Sequence, residues 1–236
     1  MGATPDTVQG RLQAVRERIA AACIHSGRSP GSVRLVAVSK TFPAQAVLSA
    51  LEAGQRAFGE NYVQEALDKI AALRSAGLEP EWHFIGPLQS NKTRPVAQNF
   101  DWVHSVEREK IAERLSEQRD PAMPALQVCI QVNVSGEASK SGVAPDALRA
   151  LAECVVKLPR LKLRGLMTVP EPTSDEALQR RRFAQLRELL EDLNSAGFEL
   201  DTLSMGMSAD LEAAIAEGAT LVRVGTAIFG ERRKSA

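Results

Sequence analysis

The feature that most constrains this chain is a rhythm. Short runs of β-branched and apolar residues alternate with longer amphipathic stretches, about eight times from end to end. An apolar run of strand length must find a partner strand, and a helix-length crossover between successive runs makes the partners parallel and the connection right-handed. The clearest unit is 33–38 (VRLVAV), followed by helical periodicity over 44–53. Further strands are expected at 56–59, 82–85, 102–104, 126–132, 163–167, 202–205 and 220–224, with a leading helix over 7–23. Turn-forming residues at 118–124 (QRDPAMP) and 171–174 (EPTS) predict loops. Eight βα units predict a closed (β/α)8 barrel with an extra N-terminal helix, filling 1–236 as one domain. The length of 236 residues agrees with the roughly 200–250 residues of one such barrel. The same elements could also form an open, doubly wound sheet.

Charge excludes several function classes. The 29 basic and 29 acidic residues cancel, so no global field draws the chain to nucleic acid or to an anionic membrane. No stretch of about 18 uninterrupted apolar residues occurs, and the opening MGATPDTVQGRLQAVRERI lacks the apolar core of a signal peptide. Gly2 begins a myristoylation-like pattern, but Asp6 stands where Ser or Thr is required. Cys23, Cys129 and Cys154 are odd in number and have no metal-ligand or CxxC spacing. These features together predict a cytoplasmic protein with no membrane or nucleic-acid partner.

In a barrel the ligand-binding groups gather where strands end, so strand ends are the places to look for chemistry. The first strand ends in Val38-Ser39-Lys40-Thr41, which puts a lysine just past an apolar run. A desolvated amine can lose its proton and condense with an aldehyde, although most lysines are solvated surface charges. Near the end of the seventh unit, Ser208 precedes a helix, as either an N-cap or an anion-binding residue. In the eighth unit, Gly225 admits close backbone approach and Thr226 adds a hydroxyl. Loops after strands seven and eight are where barrels frequently bind phosphate. Arg223, on the last strand, needs an anion, an acceptor or solvent; a salt bridge and a ligand contact are both open.

One nearer-to-hand motif is weaker. Gly86-Pro87-Leu88-Gln89-Ser90-Asn91-Lys92-Thr93 follows a strand like a P-loop, but Asn91 replaces the second glycine and Pro87 removes an N–H. Gly136-Glu137-Ala138-Ser139-Lys140-Ser141 is a poorer imitation and reads as a βα loop, from which Lys140 could reach the barrel mouth. A scaffold that binds no ligand would need both phosphate loops and Lys40 to be incidental.

Several strings occur together and in order: LVAVSK at 35–40, FGENYVQE at 58–65, HFIGPLQSNK at 83–92, GMSAD at 206–210 and RVG at 223–225. They resemble the pyridoxal phosphate (PLP) homeostasis protein family, nearly end to end, and that family resembles the N-terminal barrel of alanine racemase. The resemblance implies PLP as cofactor, held as a Schiff base on Lys40. It implies phosphate contacts from Ser208, Gly225 and Thr226, and Arg223 facing the pyridine nitrogen. A permanently charged guanidinium there keeps that nitrogen unprotonated and weakens the ring as an electron sink. The resemblance also implies that Asn61, His83 and Asn133 line the pocket. From the residues alone, His83 could equally be a core histidine and Asn133 a turn residue; Met167 and Met205 read as core.

What the resemblance implies for function is a non-catalytic carrier or regulator of PLP supply, handing the cofactor to apo PLP-dependent enzymes; without the racemase's second domain a monomer is expected, although an apolar face on an outer helix could still pair. Alanine racemase adds a second domain and a base on the other cofactor face. Racemisation needs proton removal on one face and delivery on the other, so the racemase alternative requires Tyr62 or His83 to supply the second acid or base.

Overall fold

The computed structural model describes residues 6–136 and 141–231; Glu137 to Lys140, and with them the reach of Lys140, lie outside the described residues. Helix α1 (Val8–His25) starts where the Thr7 hydroxyl accepts from the Gly10 N–H, at 3.1 Å. It buries Leu12, Val15, Ile19, Ala22 and Cys23, a spacing that places all five on one face. That face packs on the outer helices, and Arg11 donates to the Ile228 carbonyl at 2.8 Å.

Eight strands follow: β1 (Arg34–Val38), β2 (Ala57–Glu60), β3 (Glu81–Phe84), β4 (Trp102–Val106), β5 (Leu126–Gln131), β6 (Leu161–Met167), β7 (Thr202–Ser204) and β8 (Leu221–Val224). Each is parallel to the next, and β8 returns to β1 with Val36 opposite Arg223. That last pairing closes the barrel and rules out the open-sheet arrangement. The helices are α2 (Ala44–Glu52), α3 (Val63–Ser75), α4 (Thr93–Asn99), α5 (Glu109–Gln118), α6 (Leu148–Val155), α7 (Glu176–Ser195), α8 (Leu211–Ala216) and α9 (Thr226–Phe229).

Strand alternation splits the core in two. Outward residues such as Phe58, Trp82, Phe84, Val103 and Leu203 pack under the helices in the larger cluster. A smaller cluster of Val36, Ala57, Trp102, Cys129, Met167 and Leu221 fills the barrel interior. Met167 and Met205 are both core residues, at 1% and 0% exposure. Cys129 is fully buried, and burial pushes its thiol up to about 12, so it stays protonated and inert. Among the described residues no helix is long and apolar enough to cross a membrane.

Candidate functional site

A cavity of about 350 Å³ opens at the C-terminal ends of the strands. Lys40, Asn61, Ser208, Arg223, Gly225 and Thr226 line it, so the fold brings together six of the eight residues expected from sequence. Phe42, Ile85, Val169 and Met207 supply apolar walls that sequence reading did not single out.

Lys40 is carried on a loop tied down from both sides. Lys69, on α3 and 4% exposed, donates to the Ser39 carbonyl at 2.7 Å, to Glu60 at 2.7 Å and to Glu65 at 2.6 Å. The Ser39 hydroxyl also donates to Glu60, at 2.6 Å, and the Thr41 N–H donates to Glu65. Thr41 holds φ at 67°, a left-handed conformation that side chains other than glycine rarely adopt. The chain therefore turns sharply just after Lys40, and the Glu60, Glu65 and Lys69 cluster holds the turn in place.

Arg223 forms the inner end of the cavity. It is 4% exposed and donates to the Ser204 hydroxyl at 2.7 Å and to the Thr168 carbonyl at 2.8 Å. Burial draws its guanidinium down to about 10, which still leaves it a cation at neutral pH. The salt bridge open at the sequence level is replaced by two neutral acceptors. In the same lining, the Asn61 Oδ1 is buried without a hydrogen-bond partner among the described residues. A buried polar atom of this kind costs free energy unless a bound group satisfies it.

The two loops expected to hold an anion flank the same cavity. After β7 the chain turns at Gly206, φ 93°, and the Met207 N–H is capped by Asp210 at 2.6 Å. Ser208 follows, before α8. After β8, a Cβ on Gly225 would lie 3.1 Å from the Val38 carbonyl oxygen, so a side chain there would crowd β1. Thr226 begins α9. Two hydroxyl-bearing residues and an amine thus line the cavity with one buried cation, a set of donors suited to a phosphorylated aldehyde.

Two expected residues stand elsewhere. His83 is fully buried below the cavity, with Nδ1 2.8 Å from His104 Nε2 and Nε2 2.5 Å from Glu81. The reason is register. Gly59 pairs with His83, so Asn61, two residues beyond Gly59, is level with Ile85, and it is Ile85 that reaches the cavity. Asn133 is also absent from the lining: its Oδ1 accepts from the Ser135 N–H at 3.1 Å, the side chain serving a turn. His104 and Ser204, which stand behind Arg223, were missed; the inward alternation from Trp102 was the available signal for His104.

Tyr62 precedes α3 and is 53% exposed. Neither it nor His83 lines the cavity. In the P-loop-like segment, the Thr93 hydroxyl is buried 2.8 Å from Gln118 Oε1 and 2.9 Å from the Ser90 carbonyl, which engages the group a nucleotide site would offer to magnesium. A larger cleft of about 760 Å³ lies at the opposite end of the barrel, where Arg34 pairs with Glu81 and Arg164 with Asp201.

Residues 11–233 match the family described as "Alanine racemase, N-terminal domain". The fold and the match define the class: a (β/α)8 barrel of the alanine racemase N-terminal type. The pyridoxal phosphate homeostasis protein of Pseudomonas aeruginosa is 63% identical over 226 residues, covering 96% of each chain. That of Vibrio cholerae is 57% identical over 228 residues, covering 96% of this chain and 97% of its own. This chain belongs to the pyridoxal phosphate homeostasis protein family. PipY of Synechococcus elongatus, solved with PLP bound, is 39% identical with a TM-score of 0.84, covering 95% of this chain and all of that one. Alanine racemase from Corynebacterium glutamicum shares the fold alone, at 17% identity and a TM-score of 0.67, over 92% of this chain and 60% of its own.

Proposed function

We propose that this protein is a single-domain, cytoplasmic PLP carrier, binding PLP as a Schiff base on Lys40 and buffering its supply to apo PLP-dependent enzymes without catalysing a reaction of its own. The observation that carries this reading is the convergence of Lys40, Arg223 and the two donor loops on one cavity. PLP supplies an aldehyde, and an amine that condenses with it releases water; hydrolysis returns both, so loading is reversible. Ser208, Gly225 and Thr226 are assigned the phosphate, Asn61 a polar edge of the ring, and Arg223 the ring nitrogen. Arg223 can only donate, so it favours an unprotonated nitrogen and restrains carbanion chemistry.

The placement of Tyr62 and His83 supports the carrier over the racemase. Racemisation needs an acid and a base on opposite faces of the substrate, and neither candidate for the second group lines the cavity. A monomer is favoured because the exposed large apolar residues, such as Ile24, Tyr62 and Val156, are scattered over separate elements.

Absorption spectra with and without PLP test the reading. The wild type is expected to give a visible band that Lys40→Ala abolishes, with sedimentation at the 25.5 kDa of one chain and no loss of the α-proton signal from amino acids in deuterium oxide. If Lys40→Ala keeps the band, Lys40 is not the point of attachment; rapid exchange in the wild type would favour the racemase.

A further inference from the structure

We infer that Glu81, His83, His104 and Ser204 form a one-way hydrogen-bond relay through the barrel interior, and that His104 is a positioning residue which, through Ser204, holds Arg223 as a donor toward the cavity. The contacts run without a break. Arg34 lies 2.9 Å from Glu81, Glu81 2.5 Å from His83 Nε2, and His83 Nδ1 2.8 Å from His104 Nε2. His104 Nδ1 is then 2.7 Å from the Ser204 hydroxyl, which is 2.7 Å from Arg223 Nη1. The chain crosses from β3 through β4 and β7 to β8, linking strands that are not neighbours.

Its two ends fix its direction. A guanidinium only donates and a carboxylate only accepts, whereas a neutral imidazole does one of each. Arg223 therefore donates to Ser204, and the Ser204 hydroxyl donates to His104 Nδ1. His104 Nε2–H then donates to His83 Nδ1, and His83 Nε2–H donates to Glu81. Both rings are neutral Nε2–H tautomers, and every contact pairs one donor with one acceptor. The reversed order would set an imidazole lone pair against the Glu81 carboxylate. It would also make Ser204 accept from both sides, so that its own proton loses this partner.

The surroundings keep the rings neutral. Facing His83 are Glu81, Arg34, Asp101, His104 and the stacked Trp102 ring, whose centroid is 5.4 Å away. Facing His104 are His83, Ser204, Arg223 and Trp102. Burial lowers His83 against the pull of Glu81. Burial, then the nearby His83 and Arg223, hold His104 well below the ordinary histidine value. Behind Arg223 one N–H on each terminal nitrogen is engaged, by Ser204 and by Thr168, so the group is anchored at its back and lines the cavity with its front.

The sequence holds three histidines, so ¹⁵N NMR of the imidazoles is a direct test on the full chain. His83 and His104 are expected as Nε2–H tautomers at pH 7, with His104 gaining a proton only well below the ordinary histidine value. An Nδ1–H tautomer or a cationic ring at either position at pH 7 overturns the relay. The effect on binding rests on the PLP reading above and is measured by titration with PLP. His104→Leu is expected to weaken binding about tenfold, the scale of a lost hydrogen bond to a charged network. His104→Gln, whose amide can accept and donate in the same order, is expected to restore it to within about threefold of wild type. Ser204→Ala breaks the same link with a smaller change of volume, should the leucine variant fold poorly. Wild-type affinity in both His104→Leu and Ser204→Ala refutes the positioning role. If the wild type itself fails to bind PLP, the proposed function fails, while the tautomers still decide the relay.

Discussion

Lys69 shows how much a site can depend on a residue that never touches the ligand. It joins Ser39, Glu60 and Glu65, and so secures both flanks of Lys40. Glu60 is fully buried; burial raises its carboxyl while Lys69 and Ser39 pull it back. Removing the ammonium in Lys69→Met strands that carboxylate, at an expected cost of about 3–5 kcal/mol. Urea unfolding at pH 7 would measure it, and an unchanged midpoint would show the cluster to be dispensable. At this scale the sequence disclosed what its local order dictates: a lysine just past a buried strand, a serine before a helix, a glycine and threonine after the last strand. It did not disclose depth. His83 lies on β3 and Ile85 just past its end, two residues further on, and only the pairing of Gly59 with His83 decides which reaches the cavity.

At the scale of elements, all eight strands occur where the apolar runs predicted them, with shifted ends. β4 continues to Val106, past the expected 104, because a register shift against β5 between Val103 and Val106 keeps it paired. β6 starts at Leu161, two residues early, because Leu126 and Gln127 of β5 pair with Leu161 and Lys162. Such extensions depend on a neighbouring strand and leave little trace in local composition. The approach of β6 to β7 is another pairwise property: a Cβ on Gly165 would collide with the Thr202 carbonyl oxygen. Gly165→Ala should force the strands apart and cost about 1–3 kcal/mol, lowering the melting temperature by roughly 2–10 °C. A melt unchanged from wild type would mean that β7 yields without penalty.

For the molecule as a whole, the buried histidine pair should be visible in its response to acid. Both folded values lie below the ordinary 6.5, through burial above all. As pH falls through 6.5 the unfolded chain gains a proton on each ring before the folded barrel does, so this contribution to stability is whole above 6.5 and declines below it. A ring that stays neutral in the folded barrel contributes a loss of about 1.4 kcal/mol per pH unit below that point. Carboxyls raised by burial, Glu60, Asp101 and Asp210, act in the opposite sense. The discriminating comparison is therefore with His104→Gln, whose acid loss below that point should be smaller by about 1.4 kcal/mol per pH unit; parallel curves would show that His104 titrates alike in both states.

By itself the sequence determined the eightfold alternation, the leading helix, the parallel α/β class and the strand-end lysine. Each of these is written in local periodicity or in residues adjacent along the chain, where burial and hydrogen bonding leave few options. Only the tertiary structure decided that β8 closes on β1, that Lys69 braces the loop of Lys40, and that Arg223 finds Ser204 and His104 instead of an acid. Those contacts join residues that are distant in sequence, and closure and register, which place them, are properties of paired strands.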